Sequence, residues 1–437
     1  MLALSGCDSA LEASSAELAS DPEMRTDVID EIVTNLGRAG FGDDDFEPVQ
    51  VGGEMQVLLG GDAIVSLEAS RTMAGISGEE AGEHSFRHYI SNHADWNIID
   101  VDYDHLLHTG ERTQICVELG DIAGVHRWQG LRVGLENAAA AWSSPQLGLG
   151  LQIVAKSWCS SSDGQKIVLE TSSTVPGGKK AFASMPANGK VGSMIMLDSC
   201  SVPSLSVAQT TNLMMHMLGH TAGLHHTDWC GWASDTNEAR SCNAGALPLH
   251  LPFSIPVDDP EARRSIMATN FESNGTEWTA ADQQALRVLY SPDFCQALDG
   301  RTIAIRRLNE NRWLTGRGPG LRVQAWELGS VSEITEQQKF KVECNDDGSF
   351  ALSTWYLGVK LYVARDTNQP ADDHNVISTH IPSSNAKRWR AYRSKGQGRP
   401  RWGIELLSPN LGLKLNNDES VVLDDHSKST LAVFEPR

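Results

Sequence analysis

His216-Met217-Leu218-Gly219-His220-Thr221-Ala222-Gly223-Leu224-His225-His226-Thr227-Asp228 is the stretch on which the reading of this chain turns. His216 and His220 stand four residues apart, so on a helix both imidazoles leave the same face and can reach one cation. Gly223 allows the positive φ that ends a helix and folds the chain back, which brings His226 to a third corner. Three neutral nitrogen ligands with one open position are the catalytic kind of zinc site, so Zn2+ is the expected metal. With 14 histidines in 437 residues, the three positions match by accident at roughly 3 × 10⁻⁵ per register, or about 1% over the chain. Coincidence is therefore a poor account of the spacing.

About 40 residues past His226, Arg264-Ser265-Ile266-Met267 resembles the Met-turn that underlies the metal in metzincins, with Met267 as its methionine. The stretch from Ser66 to Pro292 holds a helix before strands, the histidine helix with its His-Thr-Asp ending, the Ser-Ile-Met turn, and Trp278-Thr279-Ala280-Ala281-Asp282 followed by Leu289-Tyr290. In this it resembles the dual-action HEIGH metallopeptidase family. The resemblance implies a zincin fold, a zinc ion held by His216, His220 and His226, and a peptide or protein as the partner in the cleft.

Members of that family carry Glu directly after the first histidine, and here the position is Met217. In HExxH enzymes the glutamate takes the proton of the metal's water and hands it to the leaving amine. A thioether has no titratable proton and is a weak acceptor, so Met217 can do neither. Met217 is also expected to fill the space where the polarised water would sit. The sequence thus reads as a zincin-fold protein that keeps its metal ligands and has lost or impaired its peptidase activity. Two alternatives stand beside it: an active zinc metalloendopeptidase using another base, and a surface glycan- or protein-binding protein with a vestigial metal site. Asp228 and His225 are the nearest substitute bases. Asp228 is expected to brace the site instead, and His225 to point away if His226 points in.

Working outward toward the N-terminus, Val28, Ile29, Ile32, Val33 and Leu36 recur at helical spacing, and Gly40 and Gly42 stop the pattern. Strand-like pieces follow at Met55 to Leu59 and Ala63 to Leu67. These predict a small α/β leader over 25–80, separate from a zincin-like domain over 81–295. His84, His88, His93, His105 and His108 share no ligand spacing and read as surface histidines. From Trp128 a helix is expected through Trp142, then strands at Leu149 to Ala155, Lys166 to Thr171 and Gly192 to Leu197, taken as antiparallel. The histidine helix spans Ser206 to Ala222. A last helix runs from Thr279 to Tyr290, with Thr279 and Asp282 forming a capping box. The class is α+β.

Beyond Cys295 helical periodicity ends, and five of the twelve tryptophans fall after residue 300. Three stretches overlay: strands at Ile303-Ala304-Ile305, Phe350-Ala351-Leu352 and Ile404-Glu405-Leu406, then second strands at Arg312-Trp313-Leu314, Lys360-Leu361-Tyr362 and Leu413-Lys414-Leu415. Each closes on an aromatic, Phe340, Trp389 or Phe434. A threefold repeat of this period predicts an all-β unit over 299–437. It resembles a β-trefoil of the ricin-type lectin or fascin-like kind, which implies a glycan or protein partner. The Q-x-W signature is present only as Gln338-Lys339-Phe340, Lys387-Arg388-Trp389 and Ala432-Val433-Phe434. Trp313, Trp355 and Trp389 are candidate sugar-stacking platforms, although aromatics at matched repeat positions more often build core.

Residues 1–295 hold 16 Lys/Arg against 39 Asp/Glu, whereas residues 296–437 hold 20 against 17. So acidic a front part repels nucleic acid and anionic lipid. Leu4-Ser5-Gly6-Cys7 resembles the lipobox of bacterial lipoproteins, which implies acylation of Cys7, a solvated tether through about residue 24, and a bacterial cell-envelope or extracellular location. The membrane would then be met only through that lipid. The other seven cysteines form no CxxC pair and suit disulfides. The expected pairs are Cys230 with Cys242, Cys159 with Cys200, and Cys295 with Cys344, leaving Cys116 odd. No G-x-S-x-G elbow and no glycine-rich phosphate loop after a strand occurs, which excludes the hydrolase-elbow, P-loop and Rossmann classes.

Overall fold

The computed structural model describes residues 22–38, 46–51, 54–74, 89–90, 249–250, 264–268 and 279–307, nearly all of 106–227, and from 312 on chiefly the strands. Cys7, Asp228, Cys230, Cys242 and the five histidines between 84 and 108 lie outside these residues, and with them the Cys230–Cys242 pairing.

Alternating apolar residues build the N-terminal hairpin. Helix α1 (Pro22–Arg38) is followed by β1 (Phe46–Val51), β2 (Glu54–Leu59), β3 (Ala63–Val65) and helix α2 (Leu67–Ala74). Val57, Leu59, Ala63 and Val65 face Ile32 and Leu36 of α1, while Leu58 and Ile64 face Phe182 and Met196 on the other side. Leu67, read as the end of a strand, instead opens α2, because the Ser66 hydroxyl accepts the Ala69 N–H at 3.2 Å and caps a helix there.

Next come β4 (Tyr89–Ile90), β5 (Thr113–Glu118), α3 (Gln129–Trp142), β6 (Leu151–Lys156), β7 (Gln165–Ser172), β8 (Ala181–Ser184) and β9 (Met194–Asp198). The histidine helix α4 (Val207–Thr221), β10 (Leu224–His225), β11 (Leu249–His250), α5 (Ala280–Tyr290) and α6 (Phe294–Leu298) complete this part. Strands β1 to β3 and β5 to β9 form one sheet in the order β1-β2-β3-β8-β9-β7-β5-β6, and β10-β4-β11 form a second, small one.

Two expectations are corrected by this sheet. Strands β5, β6, β7 and β9 pair in parallel, and β8 runs antiparallel to β9. Apolar alternation carries no strand direction; the crossover through α3 between β5 and β6 does. The leader is also not a separate unit. Its β3 pairs in parallel with β8, and the Ala183 N–H donates to the Asp62 carbonyl at 2.9 Å, so the sheet crosses the expected boundary at residue 80.

Helices α3 and α4 lie against one another over the sheet. At Gly134 a Cβ would sit 2.9 Å from the Thr210 carbonyl carbon, so only glycine permits this approach. Cys116 is bonded to Cys159, with the Cα atoms 6.1 Å apart, which corrects both the Cys159–Cys200 pairing and the odd Cys116. Strands β5 and β6 are neighbours, and the turn after β6 comes back over β5, where the Cys159 N–H donates to Glu118 at 2.7 Å. Cys200, after β9, lies two strands away from β5 in the sheet; it too is disulfide-bonded, its partner lying outside the described residues. Cys295 is bonded to Cys344.

The remaining strands are β12 (Thr302–Arg307), β13 (Arg312–Thr315), β14 (Gln324–Glu327), β15 (Phe340–Cys344), β16 (Phe350–Tyr356), β17 (Val359–Arg365), β18 (Val376–Thr379), β19 (Trp389–Arg393), β20 (Arg401–Leu406), β21 (Leu411–Leu415), β22 (Val421–Asp424) and β23 (Leu431–Phe434). Their pairing repeats three times. Strands β12, β15, β16, β19, β20 and β23 each pair with the next, and β23 closes on β12, so six strands make a ring without an edge. Hairpins β13–β14, β17–β18 and β21–β22 project from it, one per repeat. This is a β-trefoil. Trp313 and Trp389 are buried in it, and the Trp389 Nε1–H donates to the Val363 carbonyl at 3.0 Å, so neither is a sugar platform; Trp355 is 52% exposed. Gln338 is buried and caps its own turn, accepting the Thr335 N–H at 2.8 Å. Phe294 of α6 stacks on Phe350 of β16 at 4.6 Å, joining the trefoil to the helices before it. Among the described residues no helix is long and apolar enough to cross a membrane.

Candidate metal centre

Ser206 starts α4 with a capping box: its hydroxyl accepts the Gln209 N–H at 3.3 Å, and the Gln209 side chain accepts the Ser206 N–H at 3.0 Å. Every residue from Thr210 to Thr221 is buried, so the helix runs through the molecule and not over its surface. His216 and His220 stand one turn apart with their rings edge to face at 4.6 Å. Gly223 takes φ 93° and reverses the chain into β10, which delivers His226 beside them.

The outer nitrogens of two rings are committed. His216 Nδ1–H donates to the Ile266 carbonyl at 2.6 Å, and His220 Nδ1–H to the Leu224 carbonyl at 2.8 Å. A carbonyl only accepts, so the neutral tautomer is fixed and the Nε2 lone pairs face inward. There the Nε2 atom of His216 lies 2.9 Å from that of His220 and 3.3 Å from that of His226.

A fourth donor that the sequence reading missed completes the cluster. Asp62 sits in the turn between β2 and β3, after Gly60 and Gly61, which both take positive φ. Its Oδ2 is 3.3 Å from His216 Nε2 and 3.1 Å from His226 Nε2, and its Oδ1 is 3.4 Å from His220 Nε2. All four side chains are buried. Met217 is buried among the apolar core residues. The signal for Asp62 was a Gly-Gly-Asp turn between two apolar runs, but 154 residues separate it from His216.

A zinc ion fits this donor set. A tetrahedron with arms of about 2.0–2.1 Å has edges of about 3.3 Å, and four separations among three nitrogens and one oxygen match it: 2.9 and 3.3 Å from His216 Nε2 to those of His220 and His226, and 3.3 and 3.1 Å from Asp62 Oδ2 to those of His216 and His226. Asp62 Oδ1 is buried with no hydrogen-bond partner, the state of an oxygen awaiting a cation.

Burial pushes the His216 pKa down to about 4, helped by His220 and opposed by Asp62, so the ring is the neutral ligand form at pH 7. Burial acts to raise the Asp62 pKa, and positive charge facing it from the side of His226, His220 and His216 outweighs this and holds the carboxyl well below its usual range; with those rings neutral, a cation among them would have to supply that charge. His225 is buried in β10, pairs backbone to backbone with β4, and has its pKa pushed down by burial.

The Ser265-Ile266-Met267 turn forms the floor. A Cβ on Gly219 would lie 2.2 Å from Met267 Sδ, so glycine lets the thioether press on the helix between the two histidines. The Thr227 N–H donates to the Met267 carbonyl at 2.9 Å, tying the segment that carries the third histidine to the same turn. Asp282, in the first turn of α5, holds this turn in place: it accepts from the Ser265 hydroxyl at 2.6 Å and from the Ile266 N–H at 3.2 Å while capping Thr279. Thus the box that starts α5 also fixes the carbonyl that orients His216. The Tyr290 hydroxyl, at the other end of α5, donates to the Ala222 carbonyl where α4 ends.

The model of the dual-action HEIGH metallo-peptidase family matches residues 57–290. No curated protein matches the chain. Among solved structures, a mosquitocidal holotoxin is 14% identical with a TM-score of 0.28, over 32% of this chain and 18% of that one. The designed threefold-symmetric protein ThreeFoil is 15% identical with a TM-score of 0.26, over 31% and 99%. SeviL bound to asialo-GM1 saccharide is 9% identical with a TM-score of 0.25, over 31% and 98%.

Proposed function

The chain belongs to the dual-action HEIGH metallo-peptidase family, and from that premise we propose that it is a zinc-binding pseudopeptidase. The observation that carries this is the contrast on α4: His216 and His220 keep their tautomers and their convergence, while the residue between them that should move protons is a buried methionine. When bound, zinc supplies Lewis-acid polarisation of an oxygen ligand. His216, His220 and His226 bind it through Nε2; the Ile266 and Leu224 carbonyls orient two of those rings, and Met267 and Asp282 keep the Ile266 turn in register. Met217 cannot take a proton from water nor return one to a leaving amine, and a positioned acid/base is worth roughly 10²- to 10⁴-fold. His225 is not taken as a replacement base, since it is buried in β10, where its backbone pairs with β4.

In this proposal the metallopeptidase unit engages a peptide or protein without turning it over, and the trefoil is a binding module for a glycan or protein. Trp355, exposed at the β16–β17 hairpin, supports the latter, because an open aromatic face stacks on sugar rings or apolar side chains. A lipid on Cys7 would hold the protein at a bacterial cell envelope. The purified full chain is expected to bind about one zinc per molecule and to cleave casein no faster than its His220→Ala variant. Chelator-sensitive cleavage by the wild type would overturn the pseudopeptidase reading, and absence of zinc would leave only a vestigial site.

A further inference from the structure

We propose that Asp62 is the fourth protein ligand and that this metal centre is closed, a cross-link between the N-terminal hairpin and the histidine helix with no position left for water or a substrate carbonyl. The proposal rests on the zinc-binding reading above and adds to it what the metal is for in this chain.

Asp62 is built in. The Ala183 N–H donates to its carbonyl at 2.9 Å and the Met185 N–H to that of Ile64 at 2.8 Å, so the turn is stitched to β8 on the ladder that carries the rest of the sheet. Val57 and Leu59 before the turn and Ala63 and Val65 after it are packed under α1. The turn is anchored in this way, which holds the Asp62 backbone in place beside the histidine helix.

Its surroundings favour a cation. Among the described residues, the polar side-chain atoms that lie against the carboxylate are the three histidine Nε2 atoms. With Nδ1–H of His216 and His220 spent on carbonyls, those two neutral rings offer lone pairs, not N–H donors, to an anion already stripped of water, and of the three rings only His226 can turn an N–H toward it. A buried carboxylate opposite lone pairs is costly, and a divalent ion between them turns every one of these contacts attractive. The charge count fits as well, since three neutral nitrogens and one carboxylate leave a zinc centre with a single net positive charge.

A four-ligand protein site is the closed, structural kind, whereas three protein ligands leave the open, catalytic kind. Closure and the loss of the base at residue 217 then agree with one another. A site that cannot admit a water has no use for a group to deprotonate it.

The test uses the full chain loaded with Co2+, whose visible bands report its ligands, titrated with azide as a small anion that enters only an open position. The wild type is expected to show no change with azide. Asp62→Ala is expected to bind zinc at least roughly tenfold more weakly, losing a ligand where even an outer partner is worth 10- to 100-fold, and to shift its bands when azide is added. Asp62→Asn keeps the shape of the turn and should also bind more weakly, which covers an Asp62→Ala protein that does not fold. A wild type that binds metal yet shifts with azide, or an Asp62→Asn protein with unchanged affinity, overturns closure and leaves the zinc-binding reading standing. A wild type that binds no metal overturns both.

Discussion

The double substitution Met217→Glu/Asp62→Ala is expected to raise hydrolysis of a peptide mixture roughly 10²- to 10⁴-fold over Asp62→Ala alone, the range a positioned general base contributes. Asp62→Ala opens the fourth corner beside His216, His220 and His226, and glutamate at residue 217 supplies the base between the first two ligands. Met217→Glu by itself is expected to gain far less, because the Asp62 carboxylate still holds the position where a water would be activated. A steady-state cleavage assay on the three proteins, each with its zinc content measured, checks this. An equal gain with and without Asp62→Ala would mean the corner was never closed. A zinc-loaded double variant without activity would contradict the assignment of the missing step to residue 217.

Asp282→Ala is expected to destabilise the fold by about 3–5 kcal/mol, the cost of breaking a buried, charge-assisted network on one side. Four donors lose their acceptor: the Ser265 hydroxyl, the Ile266 N–H, and both the N–H and hydroxyl of Thr279. The consequence reaches the metal. With the Ile266 turn released, the carbonyl that orients His216 is no longer held, and zinc affinity should fall roughly 10- to 100-fold, as it does when an outer partner of a ligand is lost. Urea denaturation gives the first number and a competitive zinc titration the second, and Asp282→Asn should lie between. Full zinc affinity in a folded Asp282→Ala protein would show that His216 is oriented without the turn.

Local spacing made much of this legible. The capping boxes at Ser206 and Thr279, the reversal at Gly223 and the helical face of His216 and His220 all act within a few residues, where spacing dictates geometry. The trefoil was legible through repetition, since β12 pairs with β15, β16 with β19 and β20 with β23, the opening and closing strands of three copies of one unit. What sequence could not carry was long-range pairing. Strand direction in the sheet, the union of β3 with β8 and the Cys116–Cys159 bridge depend on which strands become neighbours, and alternation is silent on that. Asp62 belongs with these. A carboxylate in a turn reads as a solvated residue until the hairpin beside it is seen to lie against a helix 154 residues later.

In the proposed metal centre one ion is held by three histidines of one segment and an aspartate of a distant hairpin. A crystal of the full chain with anomalous data at the zinc edge tests it most directly. One peak is expected about 2.0–2.2 Å from the Nε2 atoms of His216, His220 and His226 and from one oxygen of Asp62, with no water bound to it. A peak that carries a water while Asp62 is turned away, or no peak among these four side chains, would contradict it.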